Sequence, residues 1–290
     1  MFNIKLLQYT MFMKIHILNS GNFKLDGGAM FGVVPKSIWS RSNPADNNNM
    51  CSWAMRCLLI EIEDKKILID TGIGDKQSEK FFNYFYLHGK DTLLNSLKEL
   101  SIKCEDITHV LFTHLHFDHC GGAIKRNKNK LELVFKNAVH LTNLEHWEEA
   151  HNPNAREKAS FLRENFDLIN EKNKLQFIEM GELFKNISVR FFYGHTKAQI
   201  IPIIKYKGHS LVFMADLLPS IGHIPLPYVM GYDSKPLITL KEKDEFLKEA
   251  ADKNYILLLQ HDYNYEYCTV KHSDNRVILN KYGKLRELFI

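Results

Sequence analysis

Short apolar runs separated by charged turns predict a chain built mostly from β-strands. Residues 51–62 and 66–70 form two such runs that meet at Asp64-Lys65, which is typical of a β-hairpin. Residues 200–216 contain a second pair, turning at Lys207-Gly208. MKIHIL at 13–18, ISVRFFY at 187–193 and YILLLQ at 255–260 are predicted as further strands.

Helical spacing of apolar residues appears between these strands. We predict helices over 91–100 with Asp91 as the N-cap, over 144–151 after Asn143, over 156–169, and over 239–253. Each half of the chain is rich in strands and carries helices, and no Pro/Gly/Ser-rich linker divides them. The pattern therefore predicts one α/β (α+β) domain over residues 13–290, a four-layer αββα sandwich of two packed sheets with helices outside.

Composition agrees with an ordinary globular protein. The 290 residues are 45% hydrophobic and 25% charged, enough for one large core. The net charge of +4 comes from scattered lysines without interleaved aromatics, which argues against a nucleic-acid partner. Five cysteines without CxxC spacing indicate reduced thiols and a cytoplasmic location.

The N-terminus is interpreted as an extension and not as a signal peptide. Its apolar residues are interrupted by Gln8, Tyr9 and Thr10, and no cleavage site of small residues follows. We predict that residues 1–12 are non-native or disordered and that Met11 or Met13 is the natural start. No run approaches the roughly 18 apolar residues of a membrane span, so no membrane association is expected.

The segment THLHFDHCGG directly follows the predicted strand ITHVLFT. It places His114, His116, Asp118 and His119 within six positions, and Gly121-Gly122 then permits a close-packed backbone. Any one of these histidines alone would be interpreted as part of a hydrogen-bonded turn. Four ligand-type residues together indicate a metal site, and imidazole with carboxylate suits zinc, manganese or iron.

Three other predicted strands end in ligand-type residues. His195 follows the strand at 187–193, Asp216 follows the second hairpin, and His261 follows the strand at 255–260. Each would be weak evidence by itself. Together they supply one more histidine for each of two ions and a carboxylate able to bridge them.

These motifs resemble the metallo-β-lactamase superfamily of metal-dependent hydrolases. HLHFDHCGG, GHT, Asp216, QHD and the early ILIDTG match its signatures in order from about Leu58 to His261. The resemblance implies two divalent ions, most readily zinc. By it, His114, His116 and His195 hold the first ion, Asp118, His119 and His261 hold the second, and Asp216 bridges. It also implies that Asp70 supports the ligand loop, although a turn-forming aspartate explains that residue equally well.

Two departures refine the placement within this superfamily. His119 and Asp216 stand where drug-hydrolysing β-lactamases commonly have Arg or Cys, which argues against β-lactam hydrolysis. Many dinuclear members read GHTxGH, whereas this chain has Ala198 and Gln199 in place of the glycine and the second histidine. The leading segment Asp26 to Ser40 resembles the branch of N-acyl homoserine lactonases and methyl parathion hydrolase, in which a flexible segment covers the cleft.

The expected chemistry is hydrolysis by hydroxide, because a bound metal lowers the pKa of water toward about 7 and polarises the attacked oxygen. Asp118 is expected to bind a metal and relay a proton to the leaving group, and Asp216, the bridging carboxylate, is the second residue assigned to catalysis. The neighbouring Cys120 is interpreted as a buried filler and not as a nucleophile. His140, His146, His151 and His272 have no partner in the sequence and are interpreted as surface or core residues.

The substrate pocket is harder to derive from the sequence. Residues 217–233 are apolar and contain three prolines, so they could line a pocket in which His223, Tyr228 and Tyr232 contact substrate. Loop packing is the preferred explanation of these residues. Phe31, with Met30 and Trp39, could close over the pocket or form a homodimer contact.

The sequence therefore predicts a metal-dependent hydrolase that opens a small apolar lactone or ester. Phosphotriester hydrolysis is the first alternative. The others are a catalytically silent ligand-sensing member and a nuclease of the same fold. The nuclease requires a basic arm or an appended domain, and neither is evident in the sequence.

Overall fold

The computed structural model of this chain describes residues 13–289. The strands are β1 (Met13–Asp26), β2 (Met50–Ile62), β3 (Lys65–Ile69), β4 (His109–Leu111), β5 (Ile124–Asn127), β6 (Lys130–Leu133), β7 (Val139–Thr142), β8 (Leu175–Phe177), β9 (Gly181–Phe184), β10 (Ile187–Phe192), β11 (Gln199–Tyr206), β12 (His209–Phe213), β13 (Ile256–Leu258), β14 (Tyr267–Ser273) and β15 (Arg276–Gly283). The helices are α1 (Gly27–Phe31), α2 (Lys36–Trp39), α3 (Glu79–Asn83), α4 (Leu93–Glu99), α5 (Phe117–Cys120), α6 (Leu144–His151), α7 (Asp167–Glu171) and α8 (Pro236–Asp252).

Two sheets contain all of these strands except the β5–β6 hairpin. The first sheet has the order β1-β2-β3-β4-β7-β8, and its last three pairings are parallel. The second has the order β15-β14-β13-β12-β11-β10-β9, in which only β12 and β13 are parallel. Both hairpins predicted from the sequence are present, as β2–β3 and β11–β12.

Alternate residues of the strands face different hydrophobic layers. In β2, Leu58 and Ile60 face a cluster shared with Ile200 and Phe213 of the second sheet. Leu59, between them, packs on the opposite face. Both sides of a strand are apolar here because each sheet is covered on both faces.

Helices cover the two outer faces. Leu93 and Leu97 of α4, Ala150 of α6 and Ile169 of α7 belong to the cluster outside the first sheet. Phe246, Leu247 and Ala250 of α8 pack outside the second sheet. The predicted αββα sandwich is therefore confirmed.

Two local predictions were wrong. Residues 156–169 do not form one helix; only a 3₁₀ turn at Arg163–Asn165 and the short α7 are present. Phe161 turns into the core, and the carbonyl of Ser160 instead accepts the N–H of Phe117 at 3.0 Å. The N-cap of α4 is Thr92, whose hydroxyl accepts the N–H of Asn95, and not Asp91.

The predicted extension at residues 1–12 lies outside the described part of the chain, so its disorder and the true start methionine stay predictions. Between residues 13 and 289, no helix has the length and apolar character that crossing a membrane requires. All five cysteines are free thiols.

Candidate metal centre

Four strand ends bring the predicted ligands to one edge of the two sheets. The segment from Thr113 to His119 follows β4, and His195 follows β10. Asp216 and His261 follow the parallel neighbours β12 and β13. Parallel strands end at the same edge of a sheet, so residues that are 45 positions apart in sequence become neighbours.

Gly121 and Gly122 allow the ligand loop to pack closely against the backbone after Asp70. A Cβ atom at Gly121 would lie 2.2 Å from the carbonyl oxygen of Ile73, and one at Gly122 would lie 2.2 Å from that of Thr71. A larger residue at either position would therefore displace the loop, as the sequence indicated.

The first group of candidate ligands is His114, His116, His195 and Asp216. All four are buried, and one ligand atom from each lies within 4.8 Å of the others. Nδ1 of His116 is 3.1 Å from Nε2 of His114 and 3.3 Å from Nε2 of His195. Three imidazole nitrogens therefore converge on a single point.

The second group is Asp118, His119 and His261, also buried and within the same limit. Nε2 of His119 is 3.3 Å from Nε2 of His261 and 3.6 Å from Oδ2 of Asp118. Oδ2 of Asp118 lies 3.8 Å from Nε2 of His261.

Asp216 lies between the two groups and presents one oxygen to each. Its Oδ2 is 3.0 Å from Nε2 of His195, and its Oδ1 is 2.9 Å from Nε2 of His261. This is the arrangement required of a bridging carboxylate.

A second contact on each of three histidines directs Nε2 toward the centre. Nδ1 of His195 is 2.9 Å from the Asp233 carboxylate, and Nδ1 of His119 is 2.9 Å from that of Asp70. Nδ1 of His261 is 2.8 Å from the carbonyl oxygen of Ala54. We assign the proton to Nδ1 in each case, because these partners can only accept, and this leaves the Nε2 lone pair free.

Asp70 lies behind the ligands, where the resemblance placed it. It is fully buried with φ of 59°, and it accepts the backbone N–H and the hydroxyl of Thr113, both at 2.8 Å. The Thr113 oxygen lies 3.1 Å from Nδ1 of His114, and Gln260 donates its amide to Asp70 at 2.9 Å. Asp70 therefore connects the orientation of ligands in both groups.

The residues present fit divalent cations. Nε2 of His114 and Nε2 of His195 both face Nδ1 of His116, so three ring nitrogens surround a space that can accept a cation. Nε2 of His116 and Oδ1 of Asp216 have no hydrogen-bond partner among the described residues. Each group offers imidazole with carboxylate and no thiolate, a donor set that suits zinc, manganese or iron.

The electrostatics agree with this interpretation. Burial and the neighbouring histidines hold the pKa of His114 and of His116 well below the ordinary value, which keeps both neutral. Burial also lowers the pKa of His195, but Asp216 and Asp233 outweigh it and raise that pKa to about 10. The carboxylates thus stabilise positive charge at the centre, either as protons or as metal ions.

Comparison with known proteins agrees with the geometry. The family model of the metallo-beta-lactamase superfamily matches residues 56–261, more than half of the chain.

The chain belongs to the metallo-beta-lactamase superfamily.

Relatives within this superfamily are named as hydrolases. A probable metal-dependent hydrolase from Staphylococcus aureus is 33% identical with a TM-score of 0.85, and the match covers 93% of this chain and 96% of that one. An N-acyl homoserine lactonase from Bacillus thuringiensis is 29% identical over 119 residues. That match covers 38% of this chain and 43% of the lactonase, less than half of the relative's length.

A structural neighbour with lower identity has the same fold. AidC, described as a dizinc quorum-quenching lactonase, is 21% identical with a TM-score of 0.77, over 92% of this chain and 94% of that one. The predicted family, fold and enzyme class are therefore confirmed, and the candidate ligands lie in a metallo-beta-lactamase fold.

A cleft of about 190 Å³ opens beside the two groups. Asp118, Asp216 and His261 line its inner end, and Ser160 adds a hydroxyl. The remaining wall is apolar or aromatic: Phe23, Leu25, Met30, Phe85, Phe117, Ala159, Met230 and Tyr232. No lysine or arginine is among these residues, so the cleft suits a neutral, partly apolar molecule.

The structure separates the four predicted substrate residues. Tyr232 lines the cleft. Loss of solvent around its ring, together with the nearby carboxylates of Asp26 and Asp118, raises the pKa of Tyr232 to about 12, so it is a neutral phenol. Phe31 and His223 are buried beneath the cleft and stack at 4.5 Å. Tyr228 packs edge-on against Phe31, with ring centroids 6.1 Å apart. Phe31, His223 and Tyr228 therefore lie in the packing behind the cleft wall, and substrate contact by any of the four residues stays a prediction.

His223 joins the leading segment to the rest of the site. Its Nδ1 is 2.8 Å from the hydroxyl of Ser220, and its Nε2 is 2.9 Å from the carbonyl oxygen of Met30. Burial lowers the pKa of His223 to about 3, so the ring stays neutral.

Met30, Phe31 and Trp39 are at most 2% exposed, and Phe31 stacks on Trp39 at 5.3 Å. Phe31 and Trp39 are consequently packed in the core, and of the three residues Met30 reaches the cleft wall. Closure of this segment over the pocket stays a prediction. A homodimer stays a prediction.

Several residues that the sequence did not single out support the site. Asp233 orients His195, while Thr113 and Gln260 meet Asp70. The role of Asp233 could have been anticipated, because a metal-binding histidine such as His195 commonly needs an acceptor for its second ring nitrogen. Cys120 is fully buried, burial raises the pKa of its thiol, and Sγ contacts the carbonyl of Leu115; this agrees with its interpretation as a filler.

Proposed function

We propose that this chain is a two-metal hydrolase that opens a lactone or carboxylic ester of a small, partly apolar molecule. The observation that carries the proposal is the position of Asp216, with one oxygen 3.0 Å from His195 and the other 2.9 Å from His261. A carboxylate shared in this way is expected when two ions are held side by side.

The first ion would be held by His114, His116 and His195, and the second by Asp118, His119 and His261, with Asp216 common to both. When bound, the pair supplies hydroxide at neutral pH and polarises the oxygen of the bond to be cleaved. Zinc is the proposed metal, with manganese and iron as alternatives.

The protein's own residues have three tasks. The apolar wall of the cleft binds the substrate chain and excludes water. Asp70 and Asp233 hold the histidine rings in place. Asp118, at the inner end of the cleft, is positioned to receive a proton and pass it to the leaving group.

The choice of a lactone or ester is supported by the lining of the cleft and by the names of relatives. A carbonyl compound with an apolar chain needs no cationic side chain for recognition, and none lines the cleft. Proteins named as N-acyl homoserine lactonases are among the sequence relatives, and a quorum-quenching lactonase is among the structural neighbours.

A substrate screen tests the proposal. Protein loaded with zinc, manganese or iron is assayed on an acyl lactone, an aryl ester, a thioester and a phosphotriester, with Asp216→Asn protein prepared in parallel as the blank. We expect the lactone or ester to give the highest kcat/KM. A phosphotriester preference would replace the substrate assignment. Two bound ions without turnover of any substrate would favour a ligand-sensing role.

A further inference from the structure

One face of α6 contacts the loop that follows His195. Asn143, which is the N-cap, His146 and Glu149 are spaced three residues apart and therefore share this face, named here the α6 face. His146 is fully buried, and it is outside the set of candidate metal ligands.

His146 bonds to two ligand-bearing segments at once. Its Nε2 accepts the backbone N–H of Leu115 at 2.8 Å, and its Nδ1 lies 3.0 Å from the carbonyl oxygen of Lys197. Leu115 stands between His114 and His116, and Lys197 is two residues beyond His195. One imidazole thus joins the segments that carry all three histidines of the first group.

The other two residues of the α6 face hold the same loop. Asn143 donates its amide to the carbonyl of Ala198 at 2.6 Å, and Glu149 accepts the N–H of Lys197 at 2.7 Å. The orientation of the Asn143 amide is set by the N–H of His146, which Oδ1 accepts at 2.8 Å.

These contacts bear more directly on the first group than on the second. The converging nitrogens of His114, His116 and His195 belong to the two joined segments, and metal–ligand distances tolerate only about ±0.2 Å. His119 and His261 take their orientation from Asp70 and Ala54 instead. We therefore expect a change at His146 to alter the geometry of the first ion's ligands more than that of the second ion's.

We propose that His146 is a positioning residue for the first metal site, which fixes the separation between the His114–His116 segment and the His195 loop. The inference rests on the proposed two-metal function. It identifies a long-range determinant of metal affinity in a helix that contributes no ligand.

The test compares His146→Leu with His140→Leu. His140 is a matched control, because it is equally buried, it stacks on Phe112 directly after β4, and its contacts among the described residues are with residues other than the candidate ligands. Zinc affinity is titrated in metal-free protein against a chromophoric chelator, and cobalt absorption spectra report the ligand geometry. We expect His146→Leu to weaken one of two zinc sites about 10- to 100-fold. We expect His140→Leu to keep the wild-type zinc titration.

Two conservative variants test the two hydrogen bonds of His146 separately. His146→Asn retains a donor near the Nδ1 position for Lys197, and His146→Gln retains an acceptor near the Nε2 position for Leu115. Each should restore part of the first-site affinity, and they provide the test if the leucine variant does not fold.

The possible failures are distinguishable. Two sites of wild-type affinity in His146→Leu, or in both conservative variants, would overturn the positioning role and leave the two-metal function intact. Wild-type protein that binds no ion, or only one, would overturn both.

Discussion

The ligand edge and the cleft wall of this protein are built in different ways. At the ligand edge, each histidine of the centre except His116 has a hydrogen-bonding partner for its second nitrogen, which fixes the ring within the sheet framework. At the cleft wall, the side chains that touch the cavity are held by packing, as Phe117 is against Phe81 and Phe85. The ligand edge therefore tolerates little change in chemistry, whereas the wall tolerates changes that preserve volume.

The largest effect is expected from removing the carboxylate between the two groups. Asp216→Ala should lower kcat by about 10³-fold or more, since metal polarisation supplies several kcal/mol and each 1.4 kcal/mol is tenfold. Metal analysis should show fewer than two ions per chain, with the circular dichroism spectrum unchanged. Asp244→Ala is the control, because Asp244 is a partly exposed carboxylate of α8 that pairs with Lys248. Full activity in Asp216→Ala would contradict the bridging role.

The cleft wall can be separated from the packing beneath it by one pair of variants. Phe31→Ala should lower the free energy of unfolding by about 3–5 kcal/mol, because it leaves a cavity between Trp39 and His223. Tyr232→Ala removes a side chain that is 38% exposed, so it should change stability little and raise KM about tenfold. Denaturant unfolding and steady-state kinetics measure the two effects. A Phe31 variant that is stable but has a raised KM would return Phe31 to the substrate contacts.

The division of the ligand edge into two sites predicts a matched difference. Asp233→Asn weakens the acceptor for His195 alone, whereas Asp70→Asn weakens the acceptor for His119 and, through Thr113, the support of His114. We expect Asp233→Asn to reduce metal affinity about 10- to 100-fold at the first site, and Asp70→Asn to reduce it at both sites. Cobalt titration should show one weakened step in the first variant and two in the second. Identical titrations would mean that the two groups act as one unit.

The ligand edge could be predicted from the sequence, whereas the packing behind the cleft wall could not. His195, Asp216 and His261 were predictable because each follows an apolar run that must be a strand, and strand ends meet at one edge. The position of His223 and Tyr228 was not predictable, because their loop is held by Lys243 of α8. The Lys243 ammonium donates to the carbonyls of His223 and Tyr228 at 3.0 and 2.7 Å.

The helix predicted over 156–169 failed for a similar reason. Ser160 faces the cleft while Phe161 enters the core, a division decided by contacts with the ligand loop and not by local helical spacing. Such long-range contacts leave no periodic signal in the chain.

The stability and the metal affinity of the ligand edge should depend on pH through the protonation of His195. In the metal-free folded protein the pKa of His195 is raised to about 10, whereas in the unfolded chain it is near 6.5. Protonation of His195 therefore stabilises the fold fully at pH values below about 6.5, and this stabilisation is lost as the pH rises through about 10. The unfolding temperature of metal-free protein should therefore fall between pH 7 and 10. Metal affinity should rise over the same range, about tenfold per pH unit for each proton displaced. Asp233→Asn should reduce both slopes, and pH-independent metal affinity in the wild type would contradict this account.

The smallest effect concerns the turn after His195, where the superfamily's GHTxGH motif has a glycine and this chain has Ala198. Ala198 is buried with φ of 55°, in the left-handed region that favours glycine. Ala198→Gly should relieve about 1–2 kcal/mol of strain. It also loses a buried methyl worth about 0.8 kcal/mol and raises the chain entropy of the unfolded state by about 0.4–1 kcal/mol. These terms nearly cancel, so the free energy of unfolding of Ala198→Gly should change by less than about 1 kcal/mol.

Ala198→Val should destabilise the protein, because a β-branched residue fits this backbone conformation worse. Denaturant unfolding of both variants measures the difference. A large gain in stability for the glycine variant would show that the α6 face holds this turn against greater strain than its geometry indicates.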